Sequence, residues 1–367
     1  MPCFDMDARK TAVPFLSPEG FHSKQFEYSG DVIENLSQSN MFGRECGKSR
    51  RKAGFVRRIA GAVVCCTLGL VLVGCAGEEA AAPRSTPPPG VVDVTIETMD
   101  FQMPDSIPSG WTTFRTQNKS AMTHLGVVER MPEGYGLREQ QEQIAPVFQA
   151  GMDLIIAGDM DGALAKFGEL PEWFGRIVFL GGPGLIAPGE TTETTVFLEP
   201  GTYLLECYVK TDGIFHSYNP NPAMDGMVAQ FTVTGEPSGA PEPVPTLEIS
   251  IGSEAGMSLV GKPSAGSHTI EVHFEDQVVH EHFLGHDVHL VRLTPETDIE
   301  VLVAWMNWAL PAGLQTPAPA AFLGGINELP AGSTGYFDVS LQPGKYAFIA
   351  EVPAADEKGM VHRFTVK

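Results

Sequence analysis

The chain has 367 residues, 43% of them hydrophobic and 19% charged, and a formal net charge of −21. That length suits about two domains, each large enough for its own core. Residues 1–74 carry 10 Lys+Arg and 7 Asp+Glu, which leaves 14 and 38 for residues 75–367; so acidic a body excludes nucleic acid as a partner, since that needs basic patches.

Residues 1–40 have no legible role and read as a mis-called extension ahead of a true start at Met41. In 41–74, Arg44, Lys48, Arg50, Arg51, Lys52, Arg57 and Arg58 precede an uncharged apolar run of 16 residues, 59–74. That run is short for a membrane span of about 20 residues but suits a signal peptide. Leu72-Val73-Gly74-Cys75 resembles the bacterial lipobox. The resemblance implies cleavage before Cys75, lipid on Cys75 as a membrane anchor, and a folded part in the cell envelope, on its periplasmic or extracellular face. Residues 75–90, rich in proline, read as an extended tether.

Beyond the tether, Gly 40 and Pro 29 favour short strands and turns over helices. The chain then repeats itself. Phe179-Leu-Gly-Gly, Val196-Phe-Leu-Glu-Pro-Gly-Thr-Tyr203 and Gly226-Met-Val-Ala-Gln-Phe-Thr-Val return as Phe322-Leu-Gly-Gly, Val339-Ser-Leu-Gln-Pro-Gly-Lys-Tyr346 and Gly359-Met-Val-His-Arg-Phe-Thr-Val. Upstream, Val127-Val-Glu-Arg-Met-Pro-Glu pairs with Leu290-Val-Arg-Leu-Thr-Pro-Glu. Two related domains follow, 91–235 and 246–367, with 236–245 as linker. Alternation such as Ile270, Val272 and Phe274 against Thr269, Glu271 and His273 marks strands, and their spacing predicts an all-β pair of Greek-key sandwiches. Residues 136–157 and 161–170 have helical spacing despite Pro146 and read as a helical insertion in the first domain. Residues 298–309 are its counterpart, with Leu302, Trp305 and Trp308 as packing residues.

The first domain carries Gly201-Thr-Tyr-Leu-Leu-Glu-Cys207, then His216, then Gly226-Met227. Far upstream lies Asn118-Lys-Ser-Ala-Met-Thr-His124. This order resembles the cupredoxins, the plastocyanin and azurin family. The resemblance implies one copper ion in the first domain, held by His124, Cys207 and His216 with Met227 axial, and a protein that carries electrons or copper to a redox or copper-handling partner. Two imidazoles, a thiolate and a weak thioether suit both oxidation states of copper. Eight residues separate Cys207 from His216, more than the family's two to four, and Met224 competes with Met227. Cysteine usage points the same way: once Cys75 is lipidated, Cys207 has no disulfide partner in an oxidising compartment.

The second domain places Glu351 at the Cys position and has no His in 352–358. His280, His282, His286 and His289 read as a solvated strand and turn, or as a second metal grip if a loop gathers them. No nucleophile elbow, zinc-protease motif or phosphate loop is present, so no enzyme is expected. The competing reading is a metal-free sandwich that binds a protein or small ligand.

Overall fold

A computed structural model describes residues 88–367; the signal segment, Cys75 and most of the tether lie outside the described residues. The first repeat contains β1 (Val91–Glu97), β2 (Asp100–Gln102), β3 (Ser106–Asn118), β4 (Val127–Arg130), β5 (Val178–Phe179), β6 (Thr191–Leu198), β7 (Gly201–Glu206), β8 (Lys210–Thr211), β9 (Ile214–Phe215) and β10 (Val228–Pro237). The second contains β11 (Leu247–Gly252), β12 (Gly256–Val260), β13 (Gly266–Phe274), β14 (Val288–Leu293), β15 (Ala321–Ile326), β16 (Thr334–Leu341), β17 (Gly344–Ile349) and β18 (Val361–Val366).

The protein is all-β, with two tandem sandwiches. Each opens on a parallel pair, β1 with β3 and β11 with β13. Each closes on an antiparallel pair, β7 with β10 and β17 with β18. The alternation expected in β13 is present: Ile270, Val272 and Phe274 are fully buried. A tyrosine fixes the same turn twice. The Tyr203 hydroxyl donates to Glu199 O at 2.7 Å and the Tyr346 hydroxyl to Gln342 O at 2.8 Å.

Helices appear where the chain leaves the sheets between β4 and β5: α1 (Ala145–Ile156) and α2 (Met160–Phe167). Pro146 lies inside a continuous helix, because the chain is already helical from Leu137 and one π turn (Gln140–Ile144) runs straight into α1; the wider π turn accommodates the missing N–H. Gly151 lets α2 close in, because a Cβ there would collide with the Phe167 ring. In the second repeat the excursion between β14 and β15 holds α3 (Ile299–Trp305), capped by the Asp298 carboxylate. Leu302, Trp305 and Trp308 are buried, and the two indoles donate to Gln315 O and His282 O. They pack, as expected.

The repeats meet about a local twofold axis. The matching blocks make Thr194 the counterpart of Phe337 and Pro183 that of Ile326, and each pairs across the junction with its own counterpart. Backbone bonds around the axis come in matched sets. Gly181 N–H donates to Glu328 O and Gly324 N–H to Leu185 O, both at 2.8 Å. Gly184 N–H donates to Gly325 O and Asn327 N–H to Gly182 O, both at 3.2 Å. This self-complementary pairing is the form a symmetric dimer interface takes, here within one chain. It joins β6 to β16 into one continuous sheet and leaves one large apolar core running through both repeats, with a smaller cluster around Met131, Trp173 and Leu204 beside it.

The strand register corrects two matches made from the sequence. Arg130 lies opposite Tyr203 and Arg292 opposite Tyr346. Cys207 N–H donates to Met227 O and Ala350 N–H to Met360 O, both at 3.1 Å. Ala350, not Glu351, therefore stands at the Cys207 position, and His286 stands at that of His124. The block match upstream was one residue out because the turn after β14 is one residue longer than that after β4.

Candidate metal centre

Cys207 leaves the end of β7 fully buried, and β4's approach brings in His124, also fully buried. The long spacing to His216 is taken up by a hairpin. β8 and β9 pair as Lys210 with Phe215 and Thr211 with Ile214, around Asp212-Gly213, both with positive φ (52° and 79°). That is the chemistry of a tight two-residue turn. The eight intervening residues thus fold back on themselves, and His216 N–H donates to Val209 O at 2.8 Å.

Three donor atoms converge. Cys207 Sγ lies 3.5 Å from His124 Nδ1 and 3.6 Å from His216 Nδ1, and the two Nδ1 atoms are 3.2 Å apart. The centre of a triangle with those sides is about 2 Å from each corner, close to metal–imidazole and metal–thiolate bond lengths. Thr211 Oγ1 sits 2.9 Å from His216 Nε2, beside Thr316 Oγ1 at 2.7 Å and Met122 Sδ at 3.4 Å. With the hydroxyl accepting from Nε2–H, His216 keeps a bare Nδ1 lone pair toward the cluster.

Burial sets the charge states. It pulls His124 down to about 4; it pulls His216 down to about 3, aided by His124. It pushes the Cys207 thiol up to about 12, against hydrogen bonds from the backbone of Leu125 and Val209. At neutral pH three lone-pair donors thus face one point with a single thiol proton among them. The donor set fits a cation that takes the place of that proton, and two imidazoles with a thiolate fit a type 1 copper site.

The backbone of Met227 is tied to two of these residues: its N–H donates to His216 O at 2.6 Å and its carbonyl accepts from Cys207. Its side chain is buried, whereas Met224 is 61% exposed and lies outside the centre.

The second repeat holds the hairpin in place. Lys210 N–H donates to Leu314 O and Thr316 N–H to Lys210 O, both at 2.8 Å. The buried Lys210 Nζ donates to the carbonyls of Trp308 and Leu310 at 2.7 and 2.8 Å, and burial pulls it down to about 7. The Tyr208 hydroxyl donates to Glu351 at 2.8 Å. By register these two are counterparts, so they pair across the same local axis. Sequence reasoning missed Met122, Thr211, Thr316, Tyr208 and Lys210, and with them the hairpin, which the unread turn pair Asp212-Gly213 signals.

The four histidines of the second repeat are buried rather than solvated, and they do not form one grip. His280 Nε2 faces His286 Nδ1 at 3.4 Å. His282 is bonded to Glu351 O at 2.7 Å. His289 accepts from Leu185 N–H and donates to Asp287, at 3.0 and 2.7 Å. Asp287, His289 and Glu351 do cluster, but both nitrogens of His289 are already engaged.

No family model and no curated protein matches the chain. Among solved structures it resembles auracyanin B at 21% identity, over 34% of this chain and 92% of that one, with a TM-score of 0.25. It also resembles auracyanin A, a "blue" copper protein from Chloroflexus aurantiacus, at 18% identity over 39% and 98%, TM-score 0.23. A copper nitrite reductase from Nitrosomonas europaea matches at 11% identity over 76% and 93%, TM-score 0.20. Likeness at that level does not carry chemistry from one protein to another. On its own geometry, the chain is a pair of β-sandwiches with a buried His₂Cys cluster in the first.

Proposed function

We propose that the chain binds one copper ion through His124, Cys207 and His216, with Met227 axial, and serves in electron transfer or copper handling. The near-equilateral triangle of Nδ1, Nδ1 and Sγ carries the reading. Two imidazoles, a thiolate and a thioether would hold the ion in a set that suits both of its oxidation states. The protein's part is to keep the three donors in place before the ion arrives and to keep water out; Thr211 and the hairpin orient His216, and the core seals Cys207. We further propose that lipid on Cys75 tethers the fold to a membrane of the cell envelope, on its periplasmic or extracellular face, where a protein partner exchanges electrons or copper with it.

Metal analysis and a visible spectrum of the protein, beside Cys207→Ser, test the copper reading. One copper per chain and an intense visible band, both lost in the variant, are expected. A wild type that takes up no copper under oxidising or reducing conditions overturns it. Mass spectrometry of the cellular protein tests the anchor; recovery of an intact Val73–Ala76 junction as the main species overturns it.

A further inference from the structure

Beside the metal centre, at the junction of the two repeats, lies a cavity of about 70 Å³, room for a few water-sized groups. It is walled by the neighbours of two proposed ligands, Glu206 and Tyr208 flanking Cys207 and Ser217 following His216. Its lining joins aromatic side chains, including Phe148, Phe174 and Trp308, to the carboxyls of Glu129, Glu206, Glu328 and Asp287 and the Asn327 amide.

Two of these polar groups have no partner. Glu129 is only 6% exposed, and among the described residues no hydrogen bond reaches its carboxyl. The Asn327 Oδ1 is buried and unbonded, because the amide nitrogen alone is spent on the carbonyls of Gly126 and Pro183, both at 3.0 Å. Both open positions are acceptors once Glu129 is ionised. A buried acceptor without a donor is costly, and several carboxyls crowded in one apolar place repel each other. Burial, then Glu206 and Glu328, holds Glu129 well above the usual carboxylate range. Burial, with Asp287, pushes Glu328 to about 7 against the hydrogen bond from Gly285 N–H.

What the cavity lacks is a positive charge that brings donors. A bare divalent ion is a poor match. Among the described residues no three of these carboxyls place oxygens within 4.8 Å of one another, and such ions bind oxygens at about 2.0–2.6 Å. Nor does a small hard ion gain from an aromatic wall as an alkylammonium does, by stacking its charge and burying its carbons.

We propose that this cavity is a binding site for a small organic amine in its ammonium form, with the N–H donors on Glu129 and Asn327 and the carbon body against Phe148, Phe174 and Trp308. The site does not depend on copper at the neighbouring cluster.

Calorimetric titration of the full chain with n-propylammonium, at mildly alkaline pH, tests this. One-to-one binding is expected, with n-propanol, the neutral isostere, at least about tenfold weaker, the size of a desolvated cation–π and charge contribution. Glu129→Gln is expected to weaken n-propylammonium about tenfold or more while the unfolding midpoint shows that the variant is folded; Glu328→Gln substitutes for it if Glu129→Gln fails to fold. Cys207→Ser should bind the amine as wild type does, so failure of the copper reading and failure of this one are separable. No binding of n-propylammonium, equal binding of n-propanol, Mg²⁺ displacing the amine at comparable concentration, or an unchanged affinity in the carboxyl variants overturns the proposal.

Discussion

In the first repeat the strand after Tyr203 delivers Cys207; in the second the same strand after Tyr346 delivers Ala350. His124 and Met227 have counterparts in His286 and Met360, and both counterparts are fully buried. His216 has none, because the second repeat lacks the hairpin of β8 and β9. The frame is therefore indifferent to the metal ligands: strands, tyrosine turns and the closing Met survive where the thiol and one imidazole are gone. What distinguishes the first repeat is one side chain at a strand end and one inserted hairpin, and the second repeat contributes by clamping that hairpin.

The sharpest way to break the comparison is to make the first site like the second. Cys207→Ser, or Cys207→Ala to match Ala350, should abolish copper binding and the visible band. Without metal, the unfolding free energy should shift by no more than about 1–2 kcal/mol, a common size for a point change. Copper retained by Cys207→Ala would show that the thiol does not define the site.

A finer cut removes the hairpin's hold on His216. Thr211→Val deletes the hydroxyl at 2.9 Å from Nε2 and leaves the ligands. Losing such an orienting partner lowers metal affinity about 10- to 100-fold, read by competition with a copper chelator. An unchanged affinity would mean that the clamp from Lys210 and Thr316 alone positions the ring.

Much of this frame was legible in the sequence because repeated turn chemistry and alternation are local. Pro-Gly before Tyr203 and Tyr346, and the buried face of β13, follow from neighbouring residues. His124, Cys207 and His216, which the structure brings together, could be named because their order along the chain resembles that of the cupredoxins. Counting four residues from the repeated tyrosine turn places Ala350 at the Cys207 position; the counterpart of His124 could not be placed so, since a single added residue after β14 shifts the upstream match without changing its composition. Nor could the clamp: Lys210 reaching the carbonyls of Trp308 and Leu310 joins residues far apart in sequence, and a lone Lys in a loop reads as solvated.

The junction itself offers a pH test of the carboxyls gathered there. Glu328 has a folded value of about 7 against an ordinary 4.5, from burial. The folded protein thus binds more protons than the unfolded chain between those values, so this group's contribution to stability is present at low pH and falls as pH rises from about 4.5 to about 7. Glu328→Gln should flatten that slope and stabilise the protein above pH 7 by on the order of 2 kcal/mol, allowing for the carboxyl's partial exposure to the cavity. A steeper slope in denaturation midpoint against pH would place the charged form in a favourable setting and contradict the burial argument.

The smallest effect compares the repeats where they are most alike. Tyr203 and Tyr346 each close the turn that starts β7 or β17 with a hydrogen bond to a backbone carbonyl four residues earlier, and neither hydroxyl takes part in the metal centre. Tyr346 has an additional partner, since its oxygen also accepts from Gln342 N–H at 3.2 Å. Replacement by Phe keeps the buried ring and removes only the hydroxyl. Tyr203→Phe should cost about 1 kcal/mol, the usual net worth of such a bond. Tyr346→Phe should cost somewhat more, because a donor and an acceptor both lose their partner. Copper content should be unaffected in either variant. Equal losses in thermal unfolding would show that the longer contact adds nothing; loss of copper in Tyr203→Phe alone would show that the turn transmits its geometry four residues along β7 to Cys207, and that the frame is less indifferent to the site than the second repeat suggests.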